Sequence, residues 1–265
     1  MNETPLLRFL DVGEHENKRK IAIRHRSGTG PGIVWLGGYR SDMLGTKAEA
    51  IDAWAVQNGK AYCRHDYSGH GESDGSFQNG TISRWLEESL SVFDTYCAKG
   101  EHLLVGSSMG GWIALRMVQE LYKRNQKNRI KALLLLAPAP DFTEELMWPS
   151  LSEEMKQTII QIGYLEEPSE YSDEPNIFTK ALFDDGKKNL VMTGQLETGC
   201  PVHIIQGMQD PDVPYTHAMK LIEFLPSQQV SMTLVKDGDH RLSREQDIDL
   251  LLRTISQLVQ AGPKA

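Results

Sequence analysis

No stretch of this 265-residue chain approaches the roughly 18 consecutive apolar residues that a membrane span needs. Cysteine is scarce. Cys63, Cys97 and Cys200 form neither a pairwise framework nor a close metal-ligand cluster, and all three read as structural thiols. The eight histidines are scattered without HExxH spacing, which disfavours a zinc enzyme. Neither GxGxxG nor a GxxxxGK run ending in Ser or Thr occurs, which sets nucleotide binding aside. Positive charge is in deficit, with a net −8, so the basic stripe of a nucleic-acid binder is not expected. Met1 to Arg8 has too little apolar length and positive charge for a signal peptide. It is not an arginine-rich, acid-poor transit segment either, so the expected location is cytoplasmic.

What remains is an ordinary globular composition, 40% apolar and 24% charged, long enough for one domain over residues 1–265. Strand-like runs recur at Leu6 to Val12, Ile21 to His25, Gly32 to Leu36, Lys60 to Arg64, His102 to Gly106, Ala132 to Ala137, Val202 to Gln206 and Val230 to Val235. Helical spacing fills most gaps, near Lys47 to Val56, Thr81 to Tyr96, Trp112 to Lys123, His217 to Phe224 and Arg244 to Val259. Strands alternating with helices predict an α/β fold with a mostly parallel sheet covered on both faces. Residues 139–198 break the rhythm and read as an inserted helical cap. Ser150 with Glu153 is the expected capping box, and Leu151, Met155, Ile159 and Ile162 align along one helix side. Between Asp141 and Glu174 stand ten acidic residues and one basic residue, read as a solvated outer face.

Gly106-Ser-Ser-Met-Gly110 is a GxSxG pentapeptide lying between an apolar strand and an amphipathic helix. Such a turn must be sharp, so small residues are needed on both sides of Ser108, whose hydroxyl then stands above the sheet edge. A serine hydroxyl needs a base. His240, in the loop after the last strand, reaches the same edge; His203 reads as structural. Asp210 and Asp212 both follow the strand ending at Gly207, and their local chemistry does not separate them. The order Ser, Asp, His suits acyl hydrolysis. The developing oxyanion needs two backbone N–H groups, worth roughly 3–4 kcal/mol each. Met109, at the start of a helix, and Tyr39, after Gly37-Gly38, are the candidates. No cofactor and no metal is required.

These segments resemble the α/β-hydrolase superfamily from Ile21 to Leu258. The motifs are Leu36-Gly-Gly-Tyr39, Asp66-Tyr-Ser-Gly-His-Gly-Glu-Ser73, Gly106 to Gly110 and Gly207-Met-Gln-Asp210-Pro-Asp-Val-Pro214. That resemblance implies Asp210 as the acid and His240 as the base. It gives no role in the triad to Gln206, which stands where many members carry His. A narrower resemblance is to the mitochondrial acyl-protein thioesterase and acyl-glucuronide esterase branch of these proteins. It rests on Gly45-Thr-Lys-Ala48, Val105 to Trp112, Tyr171-Ser172, Asp239-His-Arg241 and Asp247-Ile248. It implies a serine hydrolase acting through an acyl-serine on a carboxylic ester or thioester with a medium or long acyl group. The partner would be a small-molecule ester or thioester, or an acylated protein. Alternatives are an acyl-glucuronide esterase or small-molecule carboxylesterase, and a non-catalytic interaction protein of the same fold. Phe142, Met147, Trp148, Leu151, Met155 and Ile159 are candidates to line an acyl pocket.

Overall fold

Alternate residues of each central strand must find cover on opposite faces of a sheet, and this sets the architecture. The structure is a computed structural model that describes residues 4–168, 175–226 and 229–260. In chain order the strands are β1 (Leu7–Val12), β2 (Arg19–Arg26), β3 (Thr29–Leu36), β4 (Lys60–His65), β5 (His102–Ser107) and β6 (Ile130–Leu136). They continue with β7 (Tyr164–Glu167), β8 (Asn176–Thr179), β9 (Val202–Gly207) and β10 (Val230–Val235). Eight of them form one sheet in the order β1-β2-β4-β3-β5-β6-β9-β10, and β7 pairs with β8 in a separate hairpin. The pairings of β2 with β1 and with β4 are antiparallel; the rest of the main sheet is parallel.

Helices α1 (Thr46–Gln57) and α8 (Glu245–Gln260) cover one face. Their Ala48, Ile51, Ala55, Leu251 and Ile255 pack on Ile33, Trp35, Leu103, Val105 and Leu134. Helices α2 (Ile82–Tyr96) and α3 (Met109–Lys123) cover the other, against Val34, Leu36, Leu104, Leu133 and Leu135. The period-two split of β3, β5 and β6 between the two cores explains their unbroken apolar runs. No helix among the described residues is long and apolar enough to cross a membrane.

The parallel register decides where chemistry can sit. Leu36 lies opposite Gly106, Ser107 opposite Leu136, Leu136 opposite Ile205, and Gly207 opposite Val235. The segments beginning at Gly37, Ser108, Met208 and Lys236 therefore leave the sheet at one edge, its carboxyl end.

The connection between β6 and β9 differs from the expected run of helices. A wide helical turn at Thr143–Met147 leads into α4 (Trp148–Ser150), then α5 (Glu153–Ile162), the β7–β8 hairpin and α6 (Lys180–Gly186). Four-residue strands are too short for alternation to be read. The N-cap of α5 is Ser152, whose hydroxyl accepts from Met155 N–H at 3.2 Å, while Ser150 donates to Met147 O. Leu151 is extended (ψ 138°), so the helix cannot begin as early as the capping box required. The apolar stripe also ends early: Leu151 and Ile159 are buried, but Ile162 is 64% exposed. Tyr171-Ser172 lies outside the described residues. The neck of this connection is held by Asp141, whose carboxylate accepts from Val191 and Met192 N–H at 2.8–3.0 Å. Burial pushes that carboxyl up to about 6 against those bonds. Past β9, α7 (Tyr215–Phe224) returns the chain to β10.

Candidate active site

Ser108 occupies the single residue between β5 and α3, with φ 52° and ψ −118°. A non-glycine residue there costs about 1–3 kcal/mol, which the surroundings must over-determine. They do so through three backbone bonds: Ser108 N–H donates to Leu136 O, and Ser108 O accepts from Gly111 and Ala139 N–H. Space is equally restrictive. A Cβ on Gly106 would lie 2.4 Å from Gly110 O, and one on Gly110 only 2.0 Å from Leu36 O. Gly106 is thus demanded by the first turn of α3 and Gly110 by the end of β3.

His240 links two of the sheet-edge loops. Its Nε2 lies 3.1 Å from Ser108 Oγ and its Nδ1 2.8 Å from Asp210 Oδ2. With the proton on Nδ1, the ring donates to the carboxylate and accepts from the serine hydroxyl. The Asp210 side chain is fully buried. Its Oδ1 accepts from Asp212 and Val213 N–H at 2.9 and 2.8 Å, and its Oδ2 from Gln206 Nε2 at 3.1 Å as well as His240. Four donors hold one carboxylate. Asp212, Asp210 and His240 do offer ligand atoms within 4.8 Å of one another. However, Asp210's oxygens and both ring nitrogens of His240 are already engaged, so the cluster is a hydrogen-bonded relay. The other acids nearby serve elsewhere: Asp237 pairs with Arg244, and Asp239 accepts from Leu242 N–H.

Gln206 is the residue that sequence reasoning set aside. It is fully buried, and its amide nitrogen faces Gly207 O, Val213 O and Asp210 Oδ2. That position belongs to the support of the acid, and no periodicity or motif spacing signals it.

The Gly37-Gly38-Tyr39 loop lies beside the elbow; a Cβ on Gly38 would touch Ser108 Cβ at 3.4 Å. Neither Tyr39 N–H nor Met109 N–H has a protein acceptor among the described residues. The next residue, Arg40, has φ 56°, and its N–H donates to His70 Nε2 at 3.2 Å. His70 can accept because it is neutral: burial pushes its pKa down to about 4, and Nδ1–H faces Ser68 O. The polar Asp66 to Gly75 turn is therefore a buttress for the glycine loop. The Tyr39 ring stacks on Phe178 at 5.4 Å, and its hydroxyl donates to Ile177 O at 2.5 Å. Strand β8 is in this way fastened to the same loop.

Among the acyl-pocket candidates, Phe142 stands edge-on to Tyr39 and to Trp112 at 6.1 and 5.5 Å. Trp148 instead packs edge-on against Phe183, with Lys156 and Lys187 over its ring. Leu151 and Ile159 are buried in the larger core, with Met147 and Met155 partly buried against it. His203 bonds Ser231 and Thr233 across the β9–β10 pair, and His217 donates to Pro140 O. Both are structural in their contacts.

Residues 38–176 match the family described as serine aminopeptidase, S33. The chain is 34% identical over 240 residues to the mitochondrial palmitoyl-protein thioesterase ABHD10 of Homo sapiens, covering 90% of this chain and 76% of that one. The Bos taurus protein of the same name is 35% identical with the same coverage. Among solved structures, a hydrolase from Agrobacterium vitis S4 superposes with a TM-score of 0.94 at 52% identity, covering 97% of this chain and all of that chain. Mouse α/β-hydrolase domain-containing protein 10 gives 0.83 at 31% identity, over 96% and 98%. The curated relatives are mitochondrial proteins by name, which overturns the cytoplasmic expectation.

Proposed function

This chain belongs to the α/β-hydrolase family that contains the ABHD10 palmitoyl-protein thioesterases, and from that membership we propose that it is a serine hydrolase cleaving long-chain acyl thioesters and esters. The continuous hydrogen-bonded line from Ser108 through His240 to the buried Asp210 is the observation that carries the reading. In the reaction, His240 Nε2 takes the Ser108 proton as Oγ attacks the acyl carbon. Asp210 keeps the Nδ1–H tautomer and stabilises the imidazolium that forms. The N–H groups of Met109 and Tyr39 receive the oxyanion. His240 then protonates the departing thiol or alcohol, and the acyl chain stays on Ser108. Water, activated by the same imidazole, attacks that ester and releases the acid. All groups that move protons belong to the chain itself.

Residues 139–198 act as a cap over this edge in the proposal, and the acyl chain lies between it and the sheet. Phe142 and Phe178 cluster around the ring of Tyr39, which follows the Gly37-Gly38 turn beside Ser108. Met147, Leu151, Met155 and Ile159 form the cap's apolar side in this reading, while Trp148 is taken up by Phe183, Lys156 and Lys187. Each methylene withdrawn from water adds about 0.8 kcal/mol of binding. The test compares kcat/KM for matched acyl thioesters and oxygen esters from two to sixteen carbons. The expected result is a rise with length until the pocket is full, with thioesters at least equal to esters. A preference for acetyl substrates in both series would overturn the long-acyl reading. Failure of a fluorophosphonate to label wild type in preference to Ser108→Ala would overturn the hydrolase reading itself.

A further inference from the structure

A cluster of thiols and imidazoles lies away from Ser108, with His102, the first residue of β5, about 20 Å from it by the rise of a six-residue strand and Cys63 level with Leu104. Cys63 lies within β4, and Cys97 is the first residue after α2. They are 34 positions apart in sequence, yet both belong to one buried cluster and their thiols influence each other electrostatically. Both line one cavity of about 390 Å³ together with His25, Tyr96 and His102. Ser27, Gly28, Ala98 and Lys99 on its rim are exposed, whereas the two cysteines and His102 on its floor are buried. The floor holds an unsatisfied group: His102 is 6% exposed, and its Nδ1 has no hydrogen-bond partner.

We propose that Cys63 and Cys97 are a dithiol site that hydrogen peroxide oxidises to an intramolecular disulfide. Electrostatics separates the roles of the two sulfurs. The neighbouring Cys63 thiol, His102 and Arg129 hold Cys97 below the usual thiol range, against burial, which pushes it up. The adjoining Cys97 sulfur and complete burial push Cys63 well up. Cys97 is therefore the attacking thiolate and Cys63 the resolving thiol. Cys97 sulfur attacks one peroxide oxygen, the O–O bond breaks, and the departing hydroxide takes a proton to leave as water. The resulting sulfenic acid is attacked by Cys63 sulfur. The S–O bond breaks, its hydroxyl leaves as water with the Cys63 proton, and the S–S bond forms. Two thiols and one peroxide become one disulfide and two waters. The product would tie the end of α2 to β4. Cys200 offers the internal contrast, since burial alone pushes it up to about 12 and no second thiol adjoins it.

The test needs no substitution to begin. Purified wild-type protein is treated with a few equivalents of hydrogen peroxide and mapped by peptide mass spectrometry without reduction. The expected product is a Cys63–Cys97 linked peptide within monomeric protein, reversed by dithiothreitol. Iodoacetamide at neutral pH should alkylate Cys97 at least tenfold faster than Cys200. In Cys63→Ser, a dimedone adduct should accumulate on Cys97, because nothing resolves the sulfenic acid. Retention of all three thiols while methionines oxidise would overturn the proposal. So would disulfides that form only between chains.

Discussion

Gln206 Nε2 donates to Oδ2 of Asp210 at 3.1 Å, the same oxygen that accepts the His240 ring N–H at 2.8 Å. The two donors share one acceptor, so Gln206 holds the carboxylate in the orientation that His240 requires. In Gln206→Leu the side chain no longer donates to Asp210, and kcat on an activated ester should fall about tenfold with KM little changed. Gln206→Glu, which places an acceptor against the carboxylate, should lose more. Equal kcat in wild type and Gln206→Leu would make Gln206 a packing residue only.

Asp210→Asn should lower kcat by about four orders of magnitude, since the amide favours the wrong histidine tautomer. Asp212→Asn should cost less than about tenfold, because it is the Asp212 backbone N–H that reaches Asp210. Both variants are measured on one activated ester, with circular dichroism as the folding control. A larger loss at Asp212 would reverse the assignment.

Gly110→Ala tests the elbow by sterics. Its Cβ would fall 2.0 Å from Leu36 O and 2.5 Å from Gly37 O, and backbone must give way. A loss of about 3 kcal/mol or more is expected, lowering Tm by roughly 5–10 °C. Esterase activity should fall further than Tm implies, because the displaced segment leads into the Tyr39 loop.

Tyr39→Phe removes the hydroxyl bond to Ile177 O but keeps the stack on Phe178. Its effect should be a few-fold. Tyr39→Ala also removes the ring and frees β8 from the glycine loop. The chain-length dependence of kcat/KM should flatten in that variant. Equal profiles for the two would separate the hairpin from substrate selection.

His65 and His70 make stability fall in acid. Burial is the leading cause in both, and each is pushed down to about 4. Because the unfolded chain binds these protons near pH 6.5, the stabilisation is full above that value and is lost as pH falls towards 4. Each ring accounts for up to about 3 kcal/mol across this window. Asp141, raised to about 6, acts in the opposite sense, so the comparison must be differential. Tm measured from pH 7.5 to 4.5 should drop less in His70→Gln than in wild type. Parallel curves would refute the burial account.

Legibility in the sequence followed the range of the interaction. Alternation along β3, β5 and β6, helical spacing in α3 and α8, and small residues two places either side of Ser108 are local rules. They were sufficient for the α/β order and for Ser108 and His240, which the structure joins by a hydrogen bond. Spacing alone left Asp210 and Asp212 open. The resemblance chose between them, and the fold then turned only Asp210 towards His240. The start of α5 and the end of its stripe were misplaced because helix ends depend on one or two backbone angles, here the extended Leu151.

The rest belongs to tertiary structure alone. Tyr39 meets Ile177 across 138 positions, Gln206 reaches Asp210 inside a buried turn, and Cys63 of β4 shares a cavity with Cys97 at the end of α2. No such contact has a period or a motif, since each arises when separate elements are packed against a common sheet. A sequence specifies which faces must be buried, because hydrophobic patterning is additive along the chain. Which polar atoms then meet is decided only by the packing, because hydrogen bonds depend on distances that local rules do not carry.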